Sequence, residues 1–411
     1  MPGGAAGYGS GDPGVHRALR DLIARSGSVR FDEYMDLVLY APGEGFFATG
    51  GGAGRGGSDF LTSPEVGPLF GELVAEYLDR RWESLGCPDP FVVVEAAAGR
   101  GALALSVIGA SPRCRSALRY VLVERSEALR SRHGEHLPIG DAAHVLAPLR
   151  GDDDPWSPAP ARGAGPLVCS LSDLSDLSDL SDPSVLTAGG AAGASAGGPF
   201  DGVVIANELL DNIAFRLAER RDGAWHELRV TRAGDQFVEL FVPMDPTAAA
   251  AVDELVPAAL PGMTVPIQLG AADWLRSALG LVRRGSVVAI DYTSSTSEMA
   301  RRPVWDWLRT YRHHERGLGP LVAPGAQDIT VEVAVDQLAH VAVPTRRSSQ
   351  ADWLRRHGLD AMVEEGRRIW NEQAARPGLA AMRARSRVSE AAALADPDGL
   401  GGFEVLEWDL V

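Results

Sequence analysis

The 411-residue sequence has few cysteines, only Cys87, Cys114 and Cys169, and they are scattered. No Cys-x-x-Cys pair or Cys/His ligand spacing occurs, so neither a disulfide framework nor a zinc or other metal site is expected. Basic residues are in short supply: 39 Lys and Arg stand against 55 Asp and Glu, a formal charge of -16. A body of that sign repels a phosphate backbone, which argues against nucleic acid as a partner. It would instead attract a basic protein segment. No uninterrupted apolar run is long enough to cross a bilayer, and Met1–Pro13 lacks the basic and apolar regions of a secretory signal. Together these absences predict a cytoplasmic protein with no membrane association, whose partner is a protein or peptide.

Hydrophobic residues make up 45% of the chain, ample for a core. Residues 1–15 read as a disordered tail and 16–90 as a helical N-terminal cap. Within the cap, apolar residues recur at helical spacing in His16–Ala24 and Phe31–Leu39. A glycine-rich stretch, Gly50 to Gly57, reads as a mobile loop, and a helix capped by Ser63 runs from about Pro64 to about Trp82. From Phe91 the pattern changes. Phe91–Glu95, Tyr120–Glu124, Leu167–Cys169, Asp201–Ala206 and Ser286–Asp291 are short apolar runs of the kind buried on both faces of a parallel sheet. Strands alternating with helices place an α/β core at 91–295, of Rossmann-like type. Two insertions interrupt it. Residues 141–199 are low in complexity, with four Leu-Ser-Asp copies from Leu171 to Asp182. Residues 215–265 alternate as β-hairpins, with turns at Asp222-Gly and Ala233-Gly-Asp. Residues 296–411 complete the core and a substrate cleft.

Chemistry concentrates after two of the strands. Glu95-x-x-x-Gly99-x-Gly101 joins a buried strand to a helix, Ala102 to Ile108. Glycines there let the backbone approach a ligand, and the helix start offers unpaired N–H groups. Glu124, ending the second strand, suits a ribose diol. Gly99-Arg-Gly101-Ala-Leu-Ala104 also fits the dinucleotide fingerprint, so an NAD-dependent oxidoreductase stays open as an alternative. Glu95 favours S-adenosylmethionine (SAM), because a carboxylate repels pyrophosphate but attracts an ammonium and a sulfonium. The second cluster, Asn207-Glu208-Leu-Leu-Asp211, follows the fourth strand, where open α/β sheets bind ligands.

The sequence resembles the MidA-like family of class I SAM-dependent methyltransferases, relatives of a mitochondrial complex I assembly factor that methylates a protein arginine. The resemblance rests on Phe31-Asp-Glu-Tyr-Met, Tyr40-Ala-Pro-Gly-Glu-Gly-Phe-Phe, Asp59-Phe-Leu-Thr-Ser-Pro-Glu, Leu69-Phe-Gly71, Glu95 to Gly101 and Glu124-Arg-Ser126. It continues through Asn207-Glu-Leu-Leu-Asp211, Ile290-Asp-Tyr292, Pro324-Gly325 and Asp328-Ile-Thr330. It implies a Rossmann-like class I methyltransferase core with SAM as cofactor, held by Glu95, Gly99, Gly101, Glu124, Thr62, Pro64 and Asn207. It implies catalysis by Glu208, Asp211 and Asn207 on a protein side chain, arginine in particular. Carboxylates match the fork of a guanidinium, which makes that acceptor chemically coherent. A non-catalytic SAM-binding assembly factor is the other alternative.

Three positions depart from the family pattern. Ala97 stands where the glycine turn usually has its first glycine, Ala214 replaces a proline after Asp211, and Asp306-Trp-Leu-Arg-Thr-Tyr311 replaces Gly-Thr-Leu-Arg-x-Tyr. If position 97 needs a positive φ, alanine costs something like 1 kcal/mol there. His313 and His314 are read as surface or capping residues, and Arg346-Arg347 as a solvated turn.

Overall fold

Six consecutive buried residues, Phe91–Ala96, form the strand around which the larger part of the chain is organised. In the computed structural model, residues 13–49, 62–150, 160–178, 199–312 and 315–411 are described. They divide into two compact units, each assembled from three stretches of chain: Met1–Phe60, Asp211–Asp273 and Thr293–Val341 in one, and Leu61–Leu210, Trp274–Tyr292 and Ala342–Val411 in the other. The residues predicted as one N-terminal cap therefore fall into both units.

The second unit holds a seven-stranded sheet. Its strands are β1 (Phe91–Ala96), β2 (Leu118–Val123), β3 (Leu167–Leu171), β4 (Phe200–Asn207), β5 (Val282–Asp291), β6 (Arg346–Ser349) and β7 (Glu404–Leu410). The spatial order is β6-β7-β5-β4-β1-β2-β3. β1 pairs in parallel with β2 and β4, β2 with β3, and β4 with β5, while β7 runs antiparallel to both β5 and β6. This is the doubly wound order 3-2-1-4-5, with an antiparallel strand set between the fifth and sixth. The α/β, Rossmann-like expectation therefore holds. Strands β1 and β2 are buried along their whole length, because helices cover both faces of a parallel sheet. One such helix, Pro68–Ser84, lies so close to Ala102–Gly109 that a Cβ on Gly71 would sit 2.3 Å from Ser106 Cβ.

The first unit is built on antiparallel pairing. Arg216–Arg221, Ala224–Ala233 and Gln236–Pro243 form consecutive hairpins; Thr264–Ile267 pairs with the first strand, and Val29–Arg30 with the second at Arg229 and Val230. Helices Pro13–Ser26 and Phe31–Tyr40 pack Val15, Leu19, Tyr34 and Met35 into the same core as Phe215, Leu217 and Val230.

Several expectations need adjustment. The first helix begins at Pro13, with Val15 fully buried, so it takes in the end of the expected tail; residues 1–12 lie outside the described residues. The helix expected over 64–82 is two helices, Ser63–Val66 and Pro68–Ser84. Pro68 lacks an N–H and pushes Gly67 into extended backbone, and Thr62 takes the N-cap instead of Ser63. The low-complexity stretch 141–199 contains β3 and two short helices, Ala142–Val145 and Ala147–Arg150. Its first Leu-Ser-Asp copies also fold, as the turn Ser175–Ser178 with Leu174 and Leu177 buried; residues 179–198 lie outside the described residues. Arg346 and Arg347 are not a turn but the exposed start of edge strand β6, where Arg347 pairs with Glu404 at 2.7 Å. The glycine-rich loop 50–57, Asp59–Leu61, His313 and His314 lie outside the described residues.

Candidate functional site

In the second unit the strand order reverses between β1 and β4, and their carboxyl ends form the switch point where α/β sheets accept ligands. The glycine turn follows β1. Gly99 and Gly101 both have positive φ, 57° and 83°, and Gly101 caps the helix Ala102–Gly109. A Cβ on Gly99 would meet nothing within 4 Å, so the backbone there faces open space that a ligand can fill. Ala97 also has a positive φ, 58°, so the condition under which alanine is costly at this position is met.

Glu124 sits just past β2 and is 7% exposed. Its Oε2 accepts from the Gly99 N–H at 2.9 Å and its Oε1 from the Ser126 N–H at 2.7 Å. Burial raises its pKa, and the two backbone donors oppose that rise. Glu95 lies deeper. The Tyr120 hydroxyl donates to its Oε2 at 2.7 Å, and burial pushes the carboxyl up to about 8, against the pull of that hydrogen bond. Glu95 thus belongs to a buried pair rather than standing free at the turn. His133, not singled out in the sequence, lies 2.9 Å from the Gly99 carbonyl oxygen. Nothing local marked it, because the contact spans 34 residues.

At the end of β4, Asn207 donates from Nδ2 to Glu208 Oε1 at 3.0 Å. Asn207 Oδ1 is buried and accepts no hydrogen bond from any described residue. Glu208 has φ 52°, a strained value for a residue with a side chain. Its N–H donates to Ile290 on β5 at 2.8 Å, which anchors the strained backbone. Its Oε1 also accepts from the Ser63 N–H at 3.3 Å. Thr62 and Pro64 flank Ser63 at that helix start, so three of the predicted positions, Thr62, Pro64 and Glu208, converge on one place. Asp291, ending β5, is 1% exposed and accepts from the N–H groups of Leu210 and Tyr292 at 3.1 and 3.0 Å. It orders the segment that follows Glu208, a positioning role the sequence did not assign.

Asp211 belongs to the first unit. Its Oδ2 accepts from the Thr330 hydroxyl at 2.6 Å, and the neighbouring Asn212 donates to Asp328 Oδ1 at 2.9 Å. Asp211 and Asn212 thus meet the Asp328–Thr330 motif through side chains within the first unit, whereas Asn207 and Glu208 belong to the second, so the expected catalytic trio is divided between the units.

Chemically, the ends of β1, β2 and β4 present carboxyl and amide oxygens next to a helix N-terminus. Such a cradle fits a ligand bearing hydroxyls and positive charge better than one bearing pyrophosphate.

Residues 73–350, about two thirds of the chain, match the family described as S-adenosyl-L-methionine-dependent methyltransferase. Among curated proteins, the chain is 41% identical over 99 residues to the protein arginine methyltransferase NDUFAF7 homolog, mitochondrial, of Drosophila melanogaster. That match covers 24% of this chain and 22% of the fly protein. It is 33% identical over 145 residues to the mitochondrial protein arginine methyltransferase NDUFAF7 of Rattus norvegicus, 33% of each chain. The chain thus spans between about a fifth and a third of these relatives' length. Among solved structures, it superposes with TM-score 0.71 and 25% identity on a COG1565 superfamily member from Burkholderia thailandensis bound to S-adenosyl-homocysteine, covering 96% of this chain and 92% of that one.

Proposed function

The chain belongs to the family of S-adenosyl-L-methionine-dependent methyltransferases, and from that premise we propose that it moves a methyl group from SAM to a protein side chain, an arginine guanidinium. The NAD-dependent alternative falls with the family assignment. The observation that carries the proposal is the pairing of a glycine cradle with a strained acid, Glu208, at the switch point of the sheet. Strained residues with side chains persist where the surroundings hold them, and they concentrate at functional sites.

SAM supplies an activated methyl on a sulfur that leaves as a neutral thioether. The residues of this chain fit it. Glu124 would hold the ribose hydroxyls, and the backbone donors of Gly99 and Ser126 keep it in place. Asn207 Oδ1, buried and accepting from none of the described residues, would suit a cationic donor such as the cofactor's ammonium. Glu95 contributes negative charge behind the turn once a cation draws it into the ionised form. Thr62 and Pro64 flank Ser63, whose N–H meets Glu208, and are assigned to the cofactor on the family resemblance. Glu208 orients the acceptor: a carboxylate draws the guanidinium charge to its own side and leaves the far nitrogen nucleophilic. Alignment of that nitrogen with the methyl carbon is then the main catalytic task; the N–C bond would form as the C–S bond breaks, and the nitrogen's surplus proton would leave to water. The family resemblance also implies a catalytic role for Asp211, which Thr330 holds within the first unit. Arginine as acceptor is supported by the names of the fly and rat relatives, and the cytoplasm as location by the sparse cysteines.

The test is Glu208→Gln. The fold and SAM affinity should persist, while turnover falls about 100-fold, the size expected from losing a positioned charge. The acceptor is read by incubating the protein with labelled SAM and host lysate and sequencing the labelled peptides. A wild-type rate in the Gln variant would show that Glu208 only caps the helix at Ser63. Cofactor affinity with no labelled peptide at all would favour the non-catalytic assembly factor.

A further inference from the structure

A line of hydrogen bonds runs beneath the glycine turn from β3 to the end of β2. His133 begins a short 3-10 turn, His133–Glu135, and is 1% exposed. Its Nδ1 lies 2.9 Å from Ser170 Oγ on β3, and its Nε2 lies 2.9 Å from the Gly99 carbonyl oxygen. A carbonyl oxygen can only accept, so Nε2 must carry the proton. Nδ1 of the neutral ring is then the acceptor, and Ser170 donates its hydroxyl proton to it. On its other side, Gly99 donates its N–H to Glu124. Both peptide planes flanking Gly99 are therefore held by side chains, one by Glu124 and one by His133. Glycine needs such restraint here. It adopts φ 57° with no steric penalty, but nothing in its own structure keeps it there. Gly101 is near the same ring: a Cβ on Gly101 would be 3.8 Å from His133 Cδ2, just beyond Leu137 and Leu122.

We propose that His133, in its Nε2–H tautomer and seated on Ser170, is the positioning residue that holds the Gly99 turn in the geometry that receives the adenosyl cofactor. The inference rests on the SAM site proposed above. Burial lowers the histidine pKa, the hydrogen bond to the Gly99 carbonyl opposes that, and the Arg130 charge adds to the lowering; the net direction is down, so the neutral ring the arrangement requires persists at physiological pH. Ser170 has a defined part. By offering a hydroxyl proton to Nδ1 it selects the tautomer that places the other proton on Gly99.

The experiment is calorimetric titration of the full chain with S-adenosylhomocysteine, with melting temperatures measured alongside. His133→Phe keeps an aromatic ring but offers no donor, and should weaken binding about tenfold, the scale of one lost buried hydrogen bond with its acceptor left unpaired. His133→Gln places an amide N–H toward the Gly99 carbonyl and should recover most of that loss. Ser170→Ala leaves the ring in place but removes its seat, and should weaken binding roughly threefold with little change in melting temperature. Wild-type affinity in a folded His133→Phe, or in Ser170→Ala, overturns the proposal. So does a Gln variant no better than Phe. If the Phe variant does not fold, Ser170→Ala and His133→Gln decide between these results. Glu124→Ala separates the two levels. If it loses affinity while the His133 and Ser170 variants do not, the cofactor site stands and the role of His133 fails. If the wild type binds no S-adenosylhomocysteine, the site itself is wrong.

Discussion

Ala97 and Glu208 have the same uncommon backbone, with φ 58° and 52°, at the ends of neighbouring strands. For Ala97 the strain has a simple cure. A left-handed residue with a Cβ costs about 1–2 kcal/mol, while glycine loses up to about 1 kcal/mol more chain entropy on folding. Ala97→Gly should therefore stabilise the protein by about 0.5–1 kcal/mol, read as a higher urea midpoint at unchanged slope. A lower midpoint would mean that the Ala97 methyl makes contacts that outweigh its strain. Glu95 leads to a second expectation. Its carboxyl rises from an ordinary 4.5 to about 8 because it is buried. The folded state therefore holds a proton that the unfolded state releases, and stability must fall as pH climbs from about 4.5 to 8. The loss at the upper end is on the order of 4 kcal/mol at most. Glu95→Gln should flatten that slope; an unchanged slope would place its origin in another group. Binding of a cation beside Glu95 should release this proton, seen as a buffer-dependent heat in titrations near pH 7.

At the scale of elements, legibility followed the strength of the local pattern. The apolar runs of β1, β2 and β4 were readable to within a residue or two, because burial on both faces leaves few polar interruptions. Strand β6, Arg-Arg-Ser-Ser, carries no such signal, since an edge strand needs none. Strand β7 alternates acids with apolar residues, yet only its pairing with β5 reveals that it lies inside the sheet. Of the site, the glycine turn, Glu124 and the Asn207-Glu208 pair were visible as motifs. His133 was not, and Asp291 stood in the Ile290-Asp-Tyr292 motif without an assigned role, because the roles of both depend on partners far along the chain. The Leu-Ser-Asp repeat shows how composition misleads at a boundary. Leu177 is fully buried although its neighbours repeat monotonously. Leu177→Ala should cost roughly 2–5 kcal/mol, whereas deleting residues 179–198 should leave the melting temperature within a few degrees. A deletion as damaging as Leu177→Ala would make that stretch part of the fold.

Over the whole molecule, the charge of -16 sets a long-range field. A basic arginine-bearing peptide should be drawn in by it, so KM should rise several-fold between about 0.05 M and about 0.5 M ionic strength while kcat stays level. A KM indifferent to salt would confine recognition to direct contacts. The two units also alternate along the chain, and this matters for the order in which the protein is made. Strands β1 to β4 belong to residues 91–207, but β5, the neighbour of β4, arrives only with residues 282–291, after a long stretch assigned mainly to the other unit. A ribosome takes roughly 4–17 seconds to synthesise residues 208–291, which end with β5. During that interval a half-built sheet would offer the β5-side edge of β4, Phe-Asp-Gly-Val-Val-Ile-Ala-Asn, as an open and largely apolar edge to other nascent chains nearby. Slower initiation or cooler growth would lower the number of such edges present at once, and soluble yield would rise with it.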